Sequence, residues 1–370
     1  MSQRRPLAPP SGLAARLRAC RARIQEKSAS GYLITNRADQ YYLTGFDGED
    51  GAALILADHV YLLTDGRFRE EAEKTAPWAH AVVRLGTPLV ESLARVVRRH
   101  RLKRLGFQPE SLTVTSYRTF RKALRPTSFV AMPGIMDELR LAKDFSEVAA
   151  IERAIDVAEA AFKTVVRRIK PGWTESRVAA ELEYEMLGRG ASGPSFPTIV
   201  AVGANASLPH YRPGDARIEV GSAVLIDWGA TVDHYRSDLT RVVFIRRIPP
   251  RFRRMYADVL AAQEAGIRAI RAGVRACDVD RAARRSLKQV GMDKYFAHGL
   301  GHGLGLDIHE PPRVAMKMEE PLRPGTVVTV EPGVYLPGVG GVRIEDDVVV
   351  TQDGCRVLTH LPKDIESMVV

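Results

Sequence analysis

The histidines in HGLGHGLGLDIHE, from His298 to Glu310, are the residues with the clearest chemical potential. These thirteen residues hold three of the chain's nine histidines and four glycines. The glycines recur at every second position, which excludes the G-x-G-x-x-G spacing of a dinucleotide-binding loop. Pro311 and Pro312 follow Glu310, and paired prolines prevent the helix that an H-E-x-x-H zinc motif needs. We interpret the segment as glycine-lined backbone that approaches a ligand or metal closely while its histidines reach a shared centre.

Four acidic residues form a second candidate group. Asp227 ends the apolar run SAVLID, Asp238 opens the next predicted strand, Glu331 ends TVVTVE, and Glu345 interrupts GVRIEDDVVV. A hairpin would bring the two aspartates to one end of a strand pair, and carboxylates in such runs are costly to bury unless they are paired or bind metal. Four carboxylates with a histidine are a mostly oxygen ligand set, which favours Mn²⁺ and also suits Co²⁺, Zn²⁺ or Fe²⁺. The set exceeds the needs of one ion and predicts two, about 3.5–4 Å apart.

The composition is that of an ordinary globular protein. The chain has 370 residues, 45% hydrophobic and 26% charged, which is enough for two domains. No apolar run approaches the ~18 residues of a membrane span. The three scattered cysteines predict a reducing, cytoplasmic compartment without disulfides or a cysteine-based zinc site. The basic N-terminus resembles a transit peptide in composition, but Leu13, Leu17 and Ile24 share one face of a predicted first helix.

The net charge of +10 raises the alternative of nucleic-acid binding. The arginines are spread along the chain, and they do not alternate with aromatic residues as a single-strand binding platform would require. We therefore expect solvated arginine-rich faces, with neither a nucleic acid nor a membrane as partner.

The elements that must position the histidines and acids fall into two blocks. The runs GYLIT, YYLTGF, AALIL and VYLLT in residues 31–65 predict short strands, and GRFREEAEK and LVESLARVVRRH predict helices. These elements indicate a compact α/β domain that ends near Pro133. One long helix is predicted from Asp137 onward, with acidic residues near its start and arginines at its end, as the helix dipole favours.

The second block contains an internal repeat. IKPGWTESRVAAELEYEMLGRG aligns with IRAGVRACDVDRAARRSLKQVG at an offset of 101 residues. Gly172 then matches Gly273, Val178 matches Val279, and Gly190 matches Gly291. Each copy predicts a glycine break, a helix and a glycine stop. A duplicated α+β unit with a site between its halves is the expected result.

The motifs DWGA, YRSDLTR, HGLGHGLGLDIHE, TVEPGVY and GVRIEDD, in this order, resemble those of the pita-bread metallopeptidases. That family includes methionine aminopeptidase, Xaa-Pro aminopeptidase and Xaa-Pro dipeptidase. The resemblance is strong over residues 138–365, and TGFDGEDGAALIL…VYLLTDGRF resembles more loosely the creatinase-type N-terminal domain of the Xaa-Pro branch. It implies an α+β chain, with a smaller α/β creatinase-type domain at residues 1–135 and a pita-bread catalytic domain at 136–370.

The resemblance also implies roles for individual residues. The five metal ligands would be Asp227, Asp238, His302, Glu331 and Glu345. Glu331 would act as general base, while His210 and His309 would hydrogen-bond the substrate carbonyl or the developing oxyanion. His298, Arg343 and Tyr335 would bind substrate or support the site.

The implied activity is two-metal hydrolysis of the bond between an N-terminal residue and a following proline, as in an Xaa-Pro aminopeptidase. An Xaa-Pro dipeptidase is the alternative, and a non-peptidase pita-bread protein with a binding role is a more remote one. A homodimer is implied as well. Three positions depart from the family pattern and could alter the rim of the pocket: His234, Arg236 and Leu300.

Overall fold

The computed structural model describes residues 8–370, so the first seven residues of the basic N-terminal segment lie outside the described residues. The chain divides into two compact units, Met1–Leu139 and Arg140–Val370. All three cysteines are unpaired, as predicted. None of the described helices is long and apolar enough to cross a membrane.

The first unit is built on a six-stranded mixed sheet. Its strands are β1 (Gly31–Ile34), β2 (Gly51–Leu56), β3 (Val60–Asp65), β4 (His80–Arg84), β5 (Arg104–Phe107) and β6 (Ser128–Ala131). They lie in the order β4-β3-β2-β1-β5-β6. Its helices are α1 (Ser11–Glu26), α2 (Arg37–Thr44), α3 (Arg69–Thr75), α4 (Leu89–Arg99) and α5 (Val114–Ala123). Helix α1 buries Leu17 and Ile24 as predicted, while Leu13 is half-buried.

The predicted strand YYLTGF is wrong, because these residues belong mainly to α2. The Asn36 side chain accepts a hydrogen bond from the Asp39 N–H and so caps the helix start. Gly45 ends the helix in the left-handed conformation, with φ of 72°. These capping contacts override the strand preference of the aromatic residues between them.

The second unit combines helices with several small sheets. Its helices are α6 (Ile135–Leu141, which spans the division between the units), α7 (Phe145–Val166), α8 (Glu175–Gly188), α9 (Pro250–Ala269) and α10 (Ala276–Gln289). Its strands are β7 (Gly193–Pro194), β8 (Ile199–Val202), β9 (Ala223–Trp228), β10 (Ala230–Val232), β11 (Tyr235–Arg236), β12 (Leu239–Phe244), β13 (Gly301–Gly303), β14 (Glu310–Val314), β15 (Val327–Val330), β16 (Gly333–Leu336), β17 (Gly340–Arg343), β18 (Asp346–Val350) and β19 (Cys355–Val357). The strands form sheets β11-β10-β7, β12-β9-β8, β14-β13-β15-β18-β19 and β16-β17.

The prediction of a single long helix from Asp137 is also wrong, because α6 ends at Leu141 and a new helix, α7, begins at Phe145. The Lys143 N–H donates to the Gly325 carbonyl at 2.8 Å, outside any helix. Asp144 then starts α7 through a capping box, in which its side chain and that of Glu147 each accept from the other's backbone N–H. The helical spacing of apolar residues continues across the gap between α6 and α7, so the sequence pattern did not reveal that a second helix begins there.

The internal repeat is confirmed by matching backbone contacts. Gly172 and Gly273 have φ of 94° and 81°, which favours glycine, and Gly190 and Gly291 also have positive φ. The Gly172 N–H donates to Ile218 O at 2.8 Å, and the Gly273 N–H donates to Leu322 O at 2.9 Å. Each copy thus joins the start of its helix to a segment that follows later in the chain.

Candidate metal centre

Two paired strands place the two aspartates at one end of a sheet. In the antiparallel pair β9 and β12, Asp227 lies opposite Thr240, and Asp238 directly precedes β12. Alternate side chains of β9 enter opposite cores, and Trp228 anchors one side by stacking on Phe162 at 4.3 Å. Asp227 therefore points to the other side. The antiparallel pairing of β9 with β12 confirms that the two aspartates share one end of a strand pair, and both are buried.

The two glutamates meet them from a second pair of strands. Glu331 directly follows β15, and Glu345 lies in the break between β17 and β18. Val330 and Asp346 are partners in the β15–β18 register, so the two glutamates lie at the same strand ends. Thr240 donates from Oγ1 to Glu345 Oε2 at 2.6 Å, which links this pair to the aspartate strands.

His302 completes the group from β13. Its Nε2 lies 3.4 Å from Glu331 Oε1 and 3.6 Å from Asp238 Oδ2. Its Nδ1 lies 3.1 Å from the Gly303 carbonyl oxygen, which can only accept a hydrogen bond. The proton is therefore on Nδ1, and Nε2 faces the carboxylates without one. Ligand atoms of Asp238, His302 and Glu345 all lie within 4.8 Å of one another. The structure thus brings together all five residues predicted as ligands.

The glycines around His302 have a different role from the predicted one. A Cβ at Gly301 would lie 2.0 Å from the Thr329 carbonyl oxygen, and a Cβ at Gly303 would lie 2.3 Å from the Pro311 carbonyl oxygen. The glycines therefore make room for the backbone of neighbouring strands, and not for a ligand. This close approach sets His302 against β15 and its terminal Glu331.

The electrostatics of the five side chains fit a divalent cation. Burial, together with neighbouring carboxylates, raises the pKa of Asp238 and Glu345, and burial raises the pKa of Glu331 to about 8. Burial lowers the pKa of His302 to about 4, so its imidazole is neutral at physiological pH. Asp227 Oδ1 and Glu345 Oε1 are buried without a hydrogen-bond partner in the described part of the chain. A bound cation would satisfy these oxygens and offset the carboxylate charges.

A chain of hydrogen bonds connects the carboxylates to His298. The buried Arg343 binds Asp227 through Nη2, donates from Nε to Thr240 Oγ1 at 3.0 Å, and donates from Nη1 to Tyr335 OH at 2.8 Å. The Tyr335 hydroxyl lies 2.8 Å from His298 Nε2. Arg343 thus pairs with the carboxylate of Asp227, one of the predicted metal ligands. The predicted contacts of these three residues with substrate stay predictions.

The other two predicted histidines lie beside this group. The rings of His309 and His302 are 4.4 Å apart between centroids, nearly perpendicular. His210 is exposed, and its charge adds to burial, the main cause, in lowering the pKa values of His298 and His309. Both histidines are therefore positioned to face a molecule at the centre.

The sequence missed Glu175, which holds the segment carrying His210. Its buried carboxylate accepts from Val202 N at 2.7 Å, Asn205 Nδ2 at 2.9 Å, Tyr211 OH at 2.9 Å and Gly214 N at 3.1 Å. Asp347 was missed as well, and its Oδ2 accepts from Asp238 N at 3.1 Å. The adjacent acids in GVRIEDD carried a signal for Asp347, whereas Glu175 resembles any acid in the first turn of a helix.

The three positions that depart from the family pattern, His234, Arg236 and Leu300, differ in their surroundings. His234 has φ of 69°, a backbone conformation that explains why glycine suits this place. Arg236 donates from Nε to Leu306 O at 3.1 Å and from Nη1 to Ser195 O, and so ties two loops together. Leu300 is fully buried in the hydrophobic core, so its predicted place at the pocket rim is wrong.

Residues 149–352 match the model of metallopeptidase family M24, and residues 16–142 match the creatinase/prolidase N-terminal domain. This chain belongs to metallopeptidase family M24. It is a hydrolase with the pita-bread fold and a creatinase-type N-terminal domain, and the family implies divalent metal ions at the centre. The predicted fold class and family are confirmed.

Relatives of this metallopeptidase act next to proline. An Xaa-Pro dipeptidase of Pyrococcus furiosus is 38% identical over 255 residues, 69% of this chain and 73% of that protein. The structure of an Xaa-Pro dipeptidase from Bacillus anthracis is similar at a TM-score of 0.93 and 35% identity, covering 97% of this chain and all of that one. An X-Pro aminopeptidase structure from Thermotoga maritima has a TM-score of 0.89 and 34% identity, covering 94% of this chain and 100% of that one.

The metal-free protein should lose stability between about pH 6 and about pH 9, and saturating Mn²⁺ should remove most of this loss. A carboxyl whose folded pKa is raised stabilises the fold while protonated, and that contribution is lost as pH rises through the folded pKa, about 8 for Glu331. A bound cation stabilises the ionised carboxylates instead. Thermal unfolding at both pH values, with and without Mn²⁺, measures the effect. The same pH dependence of the unfolding temperature with and without Mn²⁺ would contradict this prediction.

Proposed function

We propose that this metallopeptidase is an Xaa-Pro dipeptidase that uses two divalent metal ions, Mn²⁺ first among them. The buried group of Asp227, Asp238, His302, Glu331 and Glu345 supports the hydrolytic part of this proposal, because its unpartnered oxygens suit cations. The oxygen-rich ligand set supports Mn²⁺. The three unpaired cysteines support a cytoplasmic setting. The homodimer stays a prediction that the mass in solution would test.

The residues of the centre would divide the work as follows. When bound, the ions would polarise the scissile carbonyl and lower the pKa of the attacking water. Glu331, with its pKa raised by burial to about 8, can accept and return a proton near neutral pH. His309 and His210 would donate hydrogen bonds to the carbonyl oxygen as its negative charge develops. Arg343 would hold the Asp227 carboxylate in place through its buried ion pair.

Arg313 is the observation that favours a dipeptidase over an aminopeptidase. A dipeptidase must bind a free carboxylate on the proline side of its substrate. Arg313 lies directly opposite His302 in the β13–β14 register, and opposed residues project from the same face of a sheet. Burial is the main cause that lowers the pKa values of His302 and His309, and the charge of Arg313 adds to it. Arg313 is exposed, and its guanidinium has no hydrogen-bond partner in the described residues. It is therefore available to a substrate carboxylate.

The test compares peptides that differ only in length or in the residue at the second position. Chelator-stripped protein is reloaded with Mn²⁺ and assayed with Ala-Pro, Ala-Pro-Ala and the control Ala-Ala. Cleavage of Ala-Pro alone supports the dipeptidase. Cleavage of Ala-Pro-Ala supports the second candidate, an Xaa-Pro aminopeptidase, which the similarity to the Thermotoga maritima enzyme favours. Cleavage of neither proline peptide, with metal bound, would sink both.

Arg313→Gln should raise KM for Ala-Pro by roughly 10–100-fold and change kcat little, since a hydrogen bond to a charged group contributes about 1.5–3 kcal/mol. Lys317→Gln is the matched control, because it removes the same charge from an exposed position four residues further on. Steady-state kinetics of both variants measure the difference. Equal KM values in the two variants would contradict a carboxylate contact at Arg313.

A further inference from the structure

Three histidines of the first unit form a group that hydrolysis does not use. His59 lies in the turn between β2 and β3, His80 opens β4, and His100 caps the end of α4. The ring centroid of His59 lies 5.2 Å from that of His80 and 5.1 Å from that of His100. We refer to these three residues as the histidine cluster. It contains a third of the chain's nine histidines.

The polar contacts of the histidine cluster occupy one ring nitrogen each of His59 and His100 and leave the other ring nitrogens without a partner in the described residues. His59 Nδ1 lies 2.7 Å from Asp58 Oδ1, and His100 Nε2 lies 2.7 Å from Tyr61 OH. The second nitrogen of each ring, and both nitrogens of His80, have no hydrogen-bond partner among residues 8–370. A carboxylate that accepts from one ring nitrogen and leaves the other exposed is the usual support of a metal-binding histidine.

Two of the three ring pairs, His59 with His80 and His59 with His100, have the spacing of imidazoles on a shared ion. Two imidazoles on one tetrahedral ion have centroids roughly 5 Å apart, because each metal–nitrogen bond is about 2.0–2.1 Å long. In the part of the chain that the structure describes, only Asp238, His302 and Glu345 have ligand atoms that all lie within 4.8 Å of one another. Binding at the histidine cluster therefore requires its rings to turn about their side-chain bonds. All three rings are partly exposed, which leaves room for this rotation.

A cavity gives a small ion access to two of the three histidines, while His100 lies outside its lining. His59 and His80 line a cavity of about 170 Å³ together with Asp58, Trp78 and Arg21. The charge of Arg21 opposes a cation there, and the Asp58 carboxylate offsets it. Burial and the charges of His59 and Arg99 lower the pKa values of His80 and His100, so protons compete little for their nitrogens at neutral pH, although Arg99 also opposes a bound cation.

We propose that His59, His80 and His100 bind one divalent transition-metal ion of the class that prefers imidazole, with Zn²⁺ as the probe. Imidazole suits Zn²⁺ and Ni²⁺, whereas Mn²⁺ prefers the oxygen-rich centre of the second unit. The chain would then carry two chemically different metal sites. This site needs no part of the proposed peptidase activity, so either proposal can fail alone.

Equilibrium dialysis of the metal-free full-length protein against Zn²⁺ tests the stoichiometry. Wild type should bind one ion per chain more than His80→Ala or the double variant His59→Ala/His100→Ala. His360→Ala is the matched control, since it removes an exposed histidine outside the histidine cluster and should match wild type. With Mn²⁺ loaded, His80→Ala should cleave the peptide substrates at the wild-type rate. Equal Zn²⁺ stoichiometry in wild type and His80→Ala would overturn the proposal.

A second measurement on wild type does not depend on variants that fold. Diethyl pyrocarbonate modifies exposed imidazoles, and mass spectrometry locates the modified residues. Zn²⁺ should slow modification of the histidine cluster at least roughly tenfold, because a coordinated nitrogen cannot react, and should leave His360 unchanged. Mn²⁺ should not protect the cluster. Equal modification with and without Zn²⁺ would show that these rings only pack against one another.

Discussion

Asp238→Asn should lower kcat/KM by about 10³-fold or more and remove bound metal. Asp238 is buried and lies 3.6 Å from His302 Nε2, and ligand atoms of Asp238, His302 and Glu345 all lie within 4.8 Å of one another. The amide keeps the size of the side chain but loses the charge that a divalent ion needs. Metal ions contribute several kcal/mol to catalysis, and each 1.36 kcal/mol is tenfold in rate.

Asp233→Asn is the matched control for this substitution. Asp233 is an exposed acid five residues earlier, paired with Arg153, and asparagine tolerates its φ of 49°. This control should keep both activity and metal content. Metal analysis and kinetics of the two variants, purified in parallel, make the comparison. If Asp238→Asn retained metal and activity, Asp238 would not be a ligand.

Arg343→Met should destabilise the protein by about 3–5 kcal/mol, because it leaves buried carboxylates without their partner. Arg343 is 3% exposed and contacts Asp227, Thr240 and Tyr335. For a unit of this size, each kcal/mol corresponds to roughly 2–4 °C in Tm. The loss should be larger without metal, since a bound cation replaces part of the positive charge.

An exposed arginine provides the comparison for Arg343. Arg356 pairs with Glu152 at the surface, where Arg356→Met should change stability by no more than about 0.5 kcal/mol. Thermal and denaturant unfolding of both variants, with and without Mn²⁺, measure the difference. A loss in Arg343→Met no greater than in Arg356→Met would show that the buried contacts contribute little. Activity should fall in parallel, because Asp227 loses the group that orients it.

The contacts of Arg343 also show how neighbouring residues hold the carboxylates of the candidate metal centre in place. The carboxylates come from the ends of β9 and β15, the start of β12 and the break before β18, and the hydroxyls of Thr240 in β12 and Thr329 in β15 orient two of them. Arg343 links the carboxylates to Tyr335 and His298. The centre is therefore held by the ends of paired strands, which keep several like charges close together at a fixed geometry.

The amino-acid sequence by itself identified the fold family and predicted the five residues that would bind metal. An acid at the end of an apolar run, as in SAVLID and TVVTVE, predicts a buried carboxylate, and order and spacing of the motifs identified the family that the comparisons confirm. The repeat was also visible, because Gly172 and Gly273 occupy positive φ that other residues avoid. These signals are local, and each depends on only a few neighbouring residues.

Tertiary structure alone decided the rest, because the deciding contacts join residues far apart in the chain. The role of the glycines beside His302 depends on the Thr329 and Pro311 carbonyls, which no local pattern reveals. Leu300 lies in the core and Arg313 lies opposite His302 only because β13 pairs with β14 and β15. The break before α7 and the helix at YYLTGF were decided by capping contacts that compete with propensity. Strand pairing and burial therefore assign the roles that residue type leaves open.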